Sequence, residues 1–439
     1  MHRITNQLIS NNRILIILLI LLILYLQGCA VLKNIPGRSF SFQGVPDEKI
    51  ERNEFSVAKD NDVIGRLALI RLEEGDTLPD IARHFSLGIN EISAANPGVD
   101  IWAPKAGQRI MLPLSFILPD SPRKGLVINL AAMRLFQFKG DGKSQVVSTY
   151  PVGIGSEERP SPTGQMYVQR KMIRPTWHVP ASIAEDHRKK GDPLPAAVPP
   201  GINNPLGEYA LYLSKSTYLI HGTNKPASIG LNATNGCIRL YPESVKRLYG
   251  DTPVNTPVRI VKQPYLIGKR NGVVYLEVHA PGEDSDAVEL EKIYLKLINI
   301  QKKSDRKVDW KKVKQVVAEA RGIPVPIFEI NEGSGIGTEK IIEVRRPDRF
   351  YGRPEIPELK DGAWYVLAAD LRDKMEAVRM AAIINHQGPP IPARVLSKSD
   401  SYRVIAGPFS DASKAREVAK RLKIDLEIEG ILIEPDLKK

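Results

Sequence analysis

Cysteine is nearly absent from this chain: two residues, Cys29 and Cys237, among 439. A disulfide scaffold is thereby excluded, and no grouping of Cys, His and acidic residues has the spacing of a zinc site. Long apolar runs are also scarce. The longest unbroken one spans Ile14 to Leu26. With 42% hydrophobic residues and a mean hydropathy of −0.21, the rest fits soluble globular modules and excludes a polytopic membrane protein. An acidic excess is missing too, since 62 Lys and Arg outweigh 50 Asp and Glu for a net charge of +12. The chain is longer than one compact core usually serves, so several domains are expected.

The apolar run has a context. Arg3 and Arg13 precede it, and Leu26-Gln27-Gly28-Cys29 closes it. It is too short for a comfortable membrane span and suits the core of a signal peptide. The closing four residues resemble a bacterial lipobox, in which small residues admit a signal peptidase and the cysteine becomes a diacylated N-terminus. A plain signal anchor and a buried core helix are the alternatives. Ala30 follows, where an aspartate would suggest inner-membrane retention, so the resemblance points to the periplasmic side of the outer membrane. Export directs the positive charge to anionic wall polymers and lipid head groups instead of nucleic acid. A lipid on Cys29 leaves Cys237 as an odd thiol in an oxidising compartment, unless the two cysteines are joined.

The chain reads as modules: a signal peptide over 1–28, a tether over 29–65, then a compact unit over 66–114. In that unit Ala68 to Leu72 reads as a strand, Thr77 caps a helix carrying Leu78, Ile81, Ala82 and Phe85, Asn90 caps a second, and Arg109 to Leu112 closes as a strand. The βααβ order with "EEGDTL", "NPGVD" and "GQRIMLP" resembles a LysM domain, which implies binding to N-acetylglucosamine-containing glycans; a spacer that binds nothing is the alternative. Residues 123–262, rich in β-branched and aromatic residues between Gly and Pro, read as a β-rich catalytic domain. Residues 263–344 read as a solvated, lysine-rich helical extension, and 345–360, with Pro347, Pro354 and Pro357, as a linker. Residues 361–439 alternate as βαββαβ, with Leu371, Met375, Val378 and Ala382 along one helix and Ala412, Ala415, Ala419 and Leu422 along the other. That order implies a ferredoxin-like sandwich. "YRVIAGPFSDASKAREVAKRL" resembles a SPOR domain, a family that recognises glycan strands stripped of stem peptides. The fold class is therefore multidomain, mixed α and β.

Cys237 lies in "NATNGCIRL", sixteen positions after His221. By itself the Asn-Gly pair reads either as a tight turn holding a small buried cysteine or as the approach to a catalytic thiolate. A thiol is a poor nucleophile at neutral pH and needs a base within reach, which His221 can supply. His178 and His187 lie in the same domain and read as structural or exposed.

The whole stretch "HGTNKPASIGLNATNGCIRL" resembles the active-site segment of L,D-transpeptidases, and "PVGIGSEERPSPTG" and "NNPLGEYAL" fit that family as well. The resemblance covers 123 to about 262. It implies Cys237 as nucleophile, His221 as base and the Gly222 carbonyl as the group that orients the imidazole. It implies further that Gly236, Thr234 and Asn235 shape the substrate loop and that Arg239 receives a substrate carboxylate. The implied reaction releases D-alanine from a tetrapeptide stem, holds the acyl group as a thioester and passes it to an amine, with no metal, ATP or other cofactor. The partners are peptidoglycan stems and glycan strands, a membrane reached through lipid, and an outer-membrane lipoprotein as one candidate acceptor. One position departs from the pattern: Asn235 stands where the family has a second histidine. A non-catalytic wall-binding scaffold and a hydrolase of the same fold that frees wall-linked protein are the competing readings.

Overall fold

The computed structural model describes residues 52–58, 60–140, 145–215, 217–279, 286–304, 306–329 and 341–435. The signal peptide, Cys29 and most of the expected tether lie outside the described residues.

The described residues begin with β1 (Glu54–Val57), β2 (Val63–Gly65) and β3 (Ala68–Arg71), followed by α1 (Leu78–His84), α2 (Ile89–Ala95), β4 (Arg109–Leu112) and β5 (Ser115–Ile117). Next come β6 (Gly125–Asn129), β7 (Arg134–Lys139), β8 (Gln145–Pro151), β9 (Ile154–Gly155), β10 (Gly164–Ile173), β11 (Trp177–His178), α3 (Ala181–Lys189) and β12 (Ala197–Val198). They lead to β13 (Tyr209–Leu213), β14 (Leu219–His221), β15 (Asn232–Thr234), β16 (Ile238–Arg239), α4 (Pro242–Asp251) and β17 (Pro257–Val261). β18 (Tyr265–Arg270) and β19 (Val273–Val278) precede α5 (Asp286–Lys302), α6 (Trp310–Glu319), β20 (Val325–Pro326) and β21 (Ile342–Glu343). The C-terminal module is β22 (Trp364–Leu371), α7 (Lys374–Asn385), β23 (Ala393–Lys398), β24 (Ser401–Phe409), α8 (Ala412–Leu426) and β25 (Ile431–Ile433).

A nine-stranded sheet carries the centre, in the order β1-β8-β7-β6-β17-β10-β13-β14-β16. Strands such as Gly125–Asn129 are buried along nearly their whole length, with Leu126, Val127 and Ile128 in an unbroken apolar run, because both faces are covered. Val127 points into a core shared with α1, α2, β3 and β4, whereas Leu126 and Ile128 point into a second core with Val245 and Leu248 of α4. The βααβ unit is thus packed onto the sheet. The buried Arg134 of β7 fixes it there: Nε and Nη2 donate to Glu91 of α2 at 2.6 and 2.7 Å, Nη1 to Thr149 and Nη2 to the Ser86 carbonyl.

Several expectations are corrected. Thr77 caps α1, its hydroxyl accepting from the Asp80 N–H, but Asn90 does not cap α2. The cap is Gly88, whose N–H donates to Glu91 Oε2 at 2.6 Å; the glutamate side chain reaches back and leaves Asn90 inside the first turn. The expected tether is structured at its end, where β1 pairs with β8 and β2 with β5. Residues 263–344 are not purely helical. They open with the hairpin β18–β19, turned at Asn271-Gly272 with both φ positive, and α5 and α6 pack their apolar faces on it.

The expected linker is also packed. Phe350 is 1% exposed, and Arg346 holds Asp76 through Nε and Nη2 at 3.0 and 2.7 Å. Proline content read as a linker, but Asp76 and Asp80, buried at the start of α1, draw Arg346 and Arg353 onto the βααβ unit.

The C-terminal sheet runs β23-β24-β22-β25, antiparallel throughout, and Asp411 caps α8 by accepting from the Lys414 N–H. In α8, Ala415 and Leu422 are buried as expected. Leu371, expected on the helix, ends β22 instead; in α7 the core face is Ala377, Ala381 and Ile384, while Met375, Val378 and Ala382 turn towards the βααβ unit. The helix has apolar residues on two sides because it has two neighbours. Arg379 reaches Asp100 at 3.0 Å and His386 Nε2 lies 3.0 Å from Asp80 Oδ1. The C-terminal module also meets the segment after His221: Lys225 pairs with Asp425 at 3.6 Å, and a Cβ on Gly388 would stand 1.9 Å from the Asn224 carbonyl oxygen.

Candidate active site

His221 ends β14 and Cys237 stands one residue before β16. The two strands are parallel, with Ile220 opposite Ile238 and His221 opposite Arg239. Parallel neighbours need a crossover, and residues 222–236 supply it. Paired residues of parallel strands project to one face, and so do residues two apart along a strand. His221 and Arg239 are therefore on one face by backbone pairing, and Cys237 enters β16 two residues before Arg239.

His221 is 4% exposed, and its Nδ1 lies 2.7 Å from the Gly222 carbonyl oxygen. A carbonyl only accepts, so Nδ1 carries the hydrogen and Nε2 keeps its lone pair in the neutral ring. Burial, and after it the Arg239 charge, push the imidazole down to about 3. The Cys237 thiol is pushed up by burial, which outweighs the opposing pull of the Leu219 backbone and of Arg239. At neutral pH both the thiol and the imidazole are thus uncharged, and Arg239 acts on both. The sulfur's recorded contact is a long one, 3.9 Å to the Thr217 carbonyl oxygen.

The turn before Cys237 is held from both sides. Thr234 is buried and its hydroxyl donates to the Cys237 carbonyl at 2.7 Å, so it braces the turn instead of facing a substrate. β15 lies parallel to β9, and the Ser156 N–H donates to the Thr234 carbonyl. Gly236 adopts φ +95°, and a Cβ there would come 2.8 Å from Tyr218 Cε1; the position needs glycine for both reasons. Asn235 is exposed, with its side-chain oxygen accepting from Arg159 Nη1. Arg159 Nη2 in turn donates to Asp186 of α3 at 2.7 Å.

Arg239 Nη1 donates to Ser228 Oγ at 2.9 Å, while its Nε is buried without a hydrogen-bond partner among the described residues. A polar atom left in that state is suited to an incoming acceptor. His178 is exposed on β11, and His187 on α3 faces Asp192 at 3.4 Å; neither is brought to the thiol by any recorded contact. Sequence reading missed Arg159, Asp186 and Ser228. The first lies inside "PVGIGSEERPSPTG", which marked the segment but not the residue.

Comparison with known proteins gives consistent matches. Residues 123–260 match the model of the L,D-transpeptidase catalytic domain, and residues 360–434 match that of the SPOR domain. The chain is 38% identical over 223 residues to Probable L,D-transpeptidase ErfK/SrfK of Escherichia coli strain K12, covering 50% of this chain and 71% of that protein. It is 39% identical over 230 residues to Probable L,D-transpeptidase YbiS of the same strain, covering 51% and 74%. Among solved structures, the catalytic domain of the E. faecium L,D-transpeptidase is 21% identical, covers 32% of this chain and 99% of that one, and superposes with a TM-score of 0.25.

Proposed function

Since this chain belongs to the L,D-transpeptidase family, we propose that Cys237 is the nucleophile of an acyl transfer between peptidoglycan stems. Its sulfur attacks the carbonyl of the third stem residue. The thiol proton passes to His221 Nε2 and then to the departing D-alanine amine, leaving a thioester. An acceptor amine attacks the thioester, gives its proton to His221 and restores the thiol. The amine comes from a second stem or from the lysine of a lipoprotein. The Gly222 carbonyl holds the imidazole in one tautomer. Arg239, with its unsatisfied Nε, receives a carboxylate of the stem, and the Arg159–Asn235 bond fixes the loop that presents Cys237.

The observation that supports this reading is the parallel pairing that sets a neutral, Nδ1-anchored His221 opposite Arg239, two residues on from the neutral Cys237 thiol. Its test is the pH dependence of Cys237 acylation by a carbapenem. A His221 held at about 3 stays a free base as pH falls through the ordinary histidine range. A raised thiol keeps its proton as pH climbs. The reactive protonation state is then constant, so the rate should be level from about pH 5 to about 8. An acid limb centred near about 6.5, the ordinary histidine value, would overturn the neutral-pair mechanism.

The remaining modules serve attachment. The βααβ order of residues 68–112 supports a LysM-like glycan-binding unit, and the strand order β23-β24-β22-β25 supports a ferredoxin-like SPOR module that grips stripped glycan. Holding the polymer raises its effective concentration around Cys237. Lipid on Cys29 keeps the enzyme in the periplasm at the outer membrane. Cys29→Ala should move the protein from the membrane fraction to the soluble one, and undiminished sedimentation with membranes would sink the lipid anchor.

A further inference from the structure

The crossover between His221 and Cys237 is held at two points by the attached modules. The βααβ unit holds one of them: the Ile89 N–H of α2 donates to the Ile229 carbonyl at 3.0 Å. Next to that bond, a Cβ on Gly230 would stand 2.4 Å from Asn90 Oδ1. The C-terminal module holds the other. A Cβ on Gly388 would stand 1.9 Å from the Asn224 carbonyl oxygen and 2.6 Å from Lys225 Cα, so only a glycine approaches this closely. Asp425 of α8 pairs with Lys225 at 3.6 Å. Between the two points lies a 3₁₀ turn, Pro226–Ser228, opened by a proline whose fixed φ suits a first position.

Ser228 closes that turn. Its hydroxyl donates to the Lys225 carbonyl at 2.6 Å, which uses its one hydrogen. The oxygen is left to accept, and it accepts from Arg239 Nη1 at 2.9 Å. The Arg239 backbone is fixed by reciprocal bonds with Gly153, at 2.8 and 2.9 Å. A long side chain on a fixed backbone still has rotamer freedom to lose. Ser228 removes part of it by holding Nη1. The Nε–Nη2 edge is the fork that meets a carboxylate, and Nε has no hydrogen-bond partner among the described residues.

We propose that Ser228 is a positioning residue that aims the Arg239 fork at the stem carboxylate, and that the two attached modules hold it in place through the crossover. The proposal rests on the reading of Arg239 as the carboxylate receiver. It adds that stem recognition depends on a turn fastened from outside the catalytic domain. Loosening either module from the crossover therefore weakens the selection of a charged stem and leaves the Cys237 sulfur in place.

The test is isothermal titration calorimetry on the full chain carrying Cys237→Ala, which binds without turnover. The probes are the tetrapeptide stem containing diaminopimelate, its D-alanine amide and its diaminopimelyl amide. One amide should bind about tenfold less tightly than the free peptide, because a charged hydrogen-bonded fork loses its partner. Ser228→Ala should shrink that ratio to about twofold, and Ser228→Thr, which keeps the hydroxyl, should restore it. Gly388→Ala pushes the Asn224–Lys225 backbone aside and should lower the ratio to about threefold, since a distorted turn weakens the bond without removing it. Asp425→Lys sets like charges against each other on the surface and should act in the same direction, which covers a Gly388→Ala chain that fails to fold. An undiminished ratio in Ser228→Ala, or an equal weakening of all the peptides, would overturn the positioning role. An undiminished ratio in Asp425→Lys and in folded Gly388→Ala would remove the modules from it. If neither amide binds more weakly to the chain with Ser228 intact, Arg239 receives no stem carboxylate, and that reading falls together with this one. Binding is read without the sulfur, so every such failure leaves the assignment of Cys237 as nucleophile standing.

Discussion

Cys237→Ala protein incubated with a carbapenem should show no mass increase, and sacculi exposed to it should gain no new cross-link. In the proposed mechanism the sulfur is the atom that forms the covalent bond, so no other group in the site substitutes for it. The fold should survive, because the side chain is only half-buried and its recorded contact is the weak one to Thr217. His221→Gln is the companion variant. It keeps a polar side chain at the position but cannot take a proton, and general-base catalysis contributes about 10²–10⁴ in rate. Acylation should slow by that order while the urea midpoint stays close to native. Full acylation of Cys237→Ala at another residue, or an unslowed His221→Gln, would remove the mechanism proposed above.

The largest effect on stability is expected at Arg134. Its guanidinium is 0% exposed, bridges to Glu91 across the boundary between sheet and βααβ unit, and lies 4.0 Å over the Phe116 ring. Arg134→Met leaves the Glu91 carboxylate buried without its cation. Breaking a buried pair from one side costs about 3–5 kcal/mol, a large part of a domain's stability. Adding Glu91→Gln should recover most of it, since the amide is neutral and its oxygen can still accept from the Gly88 N–H. The measurement is the urea midpoint of native, single and double variants. A single variant as stable as native would mean that the βααβ unit is not fastened to the sheet through this pair.

Much of the site was legible because its elements are close in the chain. His221, Gly222 and Cys237 lie within one crossover segment, and the residue types are those that thiol chemistry requires. Asn235 was visible as a departure, but its partner was not. Arg159 is distant in sequence, and nothing in the composition of a charged loop states which exposed amide its guanidinium will meet. The β18–β19 hairpin was legible and overlooked: Asn271-Gly272 between apolar runs is a strong hairpin signal, overshadowed by the lysine-rich helices that follow.

What the sequence determined by itself are the properties that local order enforces. Capping at Thr77, the apolar spacing of α1, the order of strands and helices in the βααβ and βαββαβ modules, and the sixteen-residue spacing of His221 and Cys237 all follow from neighbours along the chain. What only the tertiary structure decided is which face meets which. Met375, Val378 and Ala382 satisfy helical periodicity as well as Ala377, Ala381 and Ile384 do, and burial against two different neighbours separates them. Nothing local marks Arg134 and Arg346 as the partners of Glu91 and Asp76, which lie buried opposite them. Periodicity reports that a face is apolar, and a charge reports that it needs a partner. Neither names the partner, because that choice is made by long-range packing, which leaves no mark at fixed spacing in the chain.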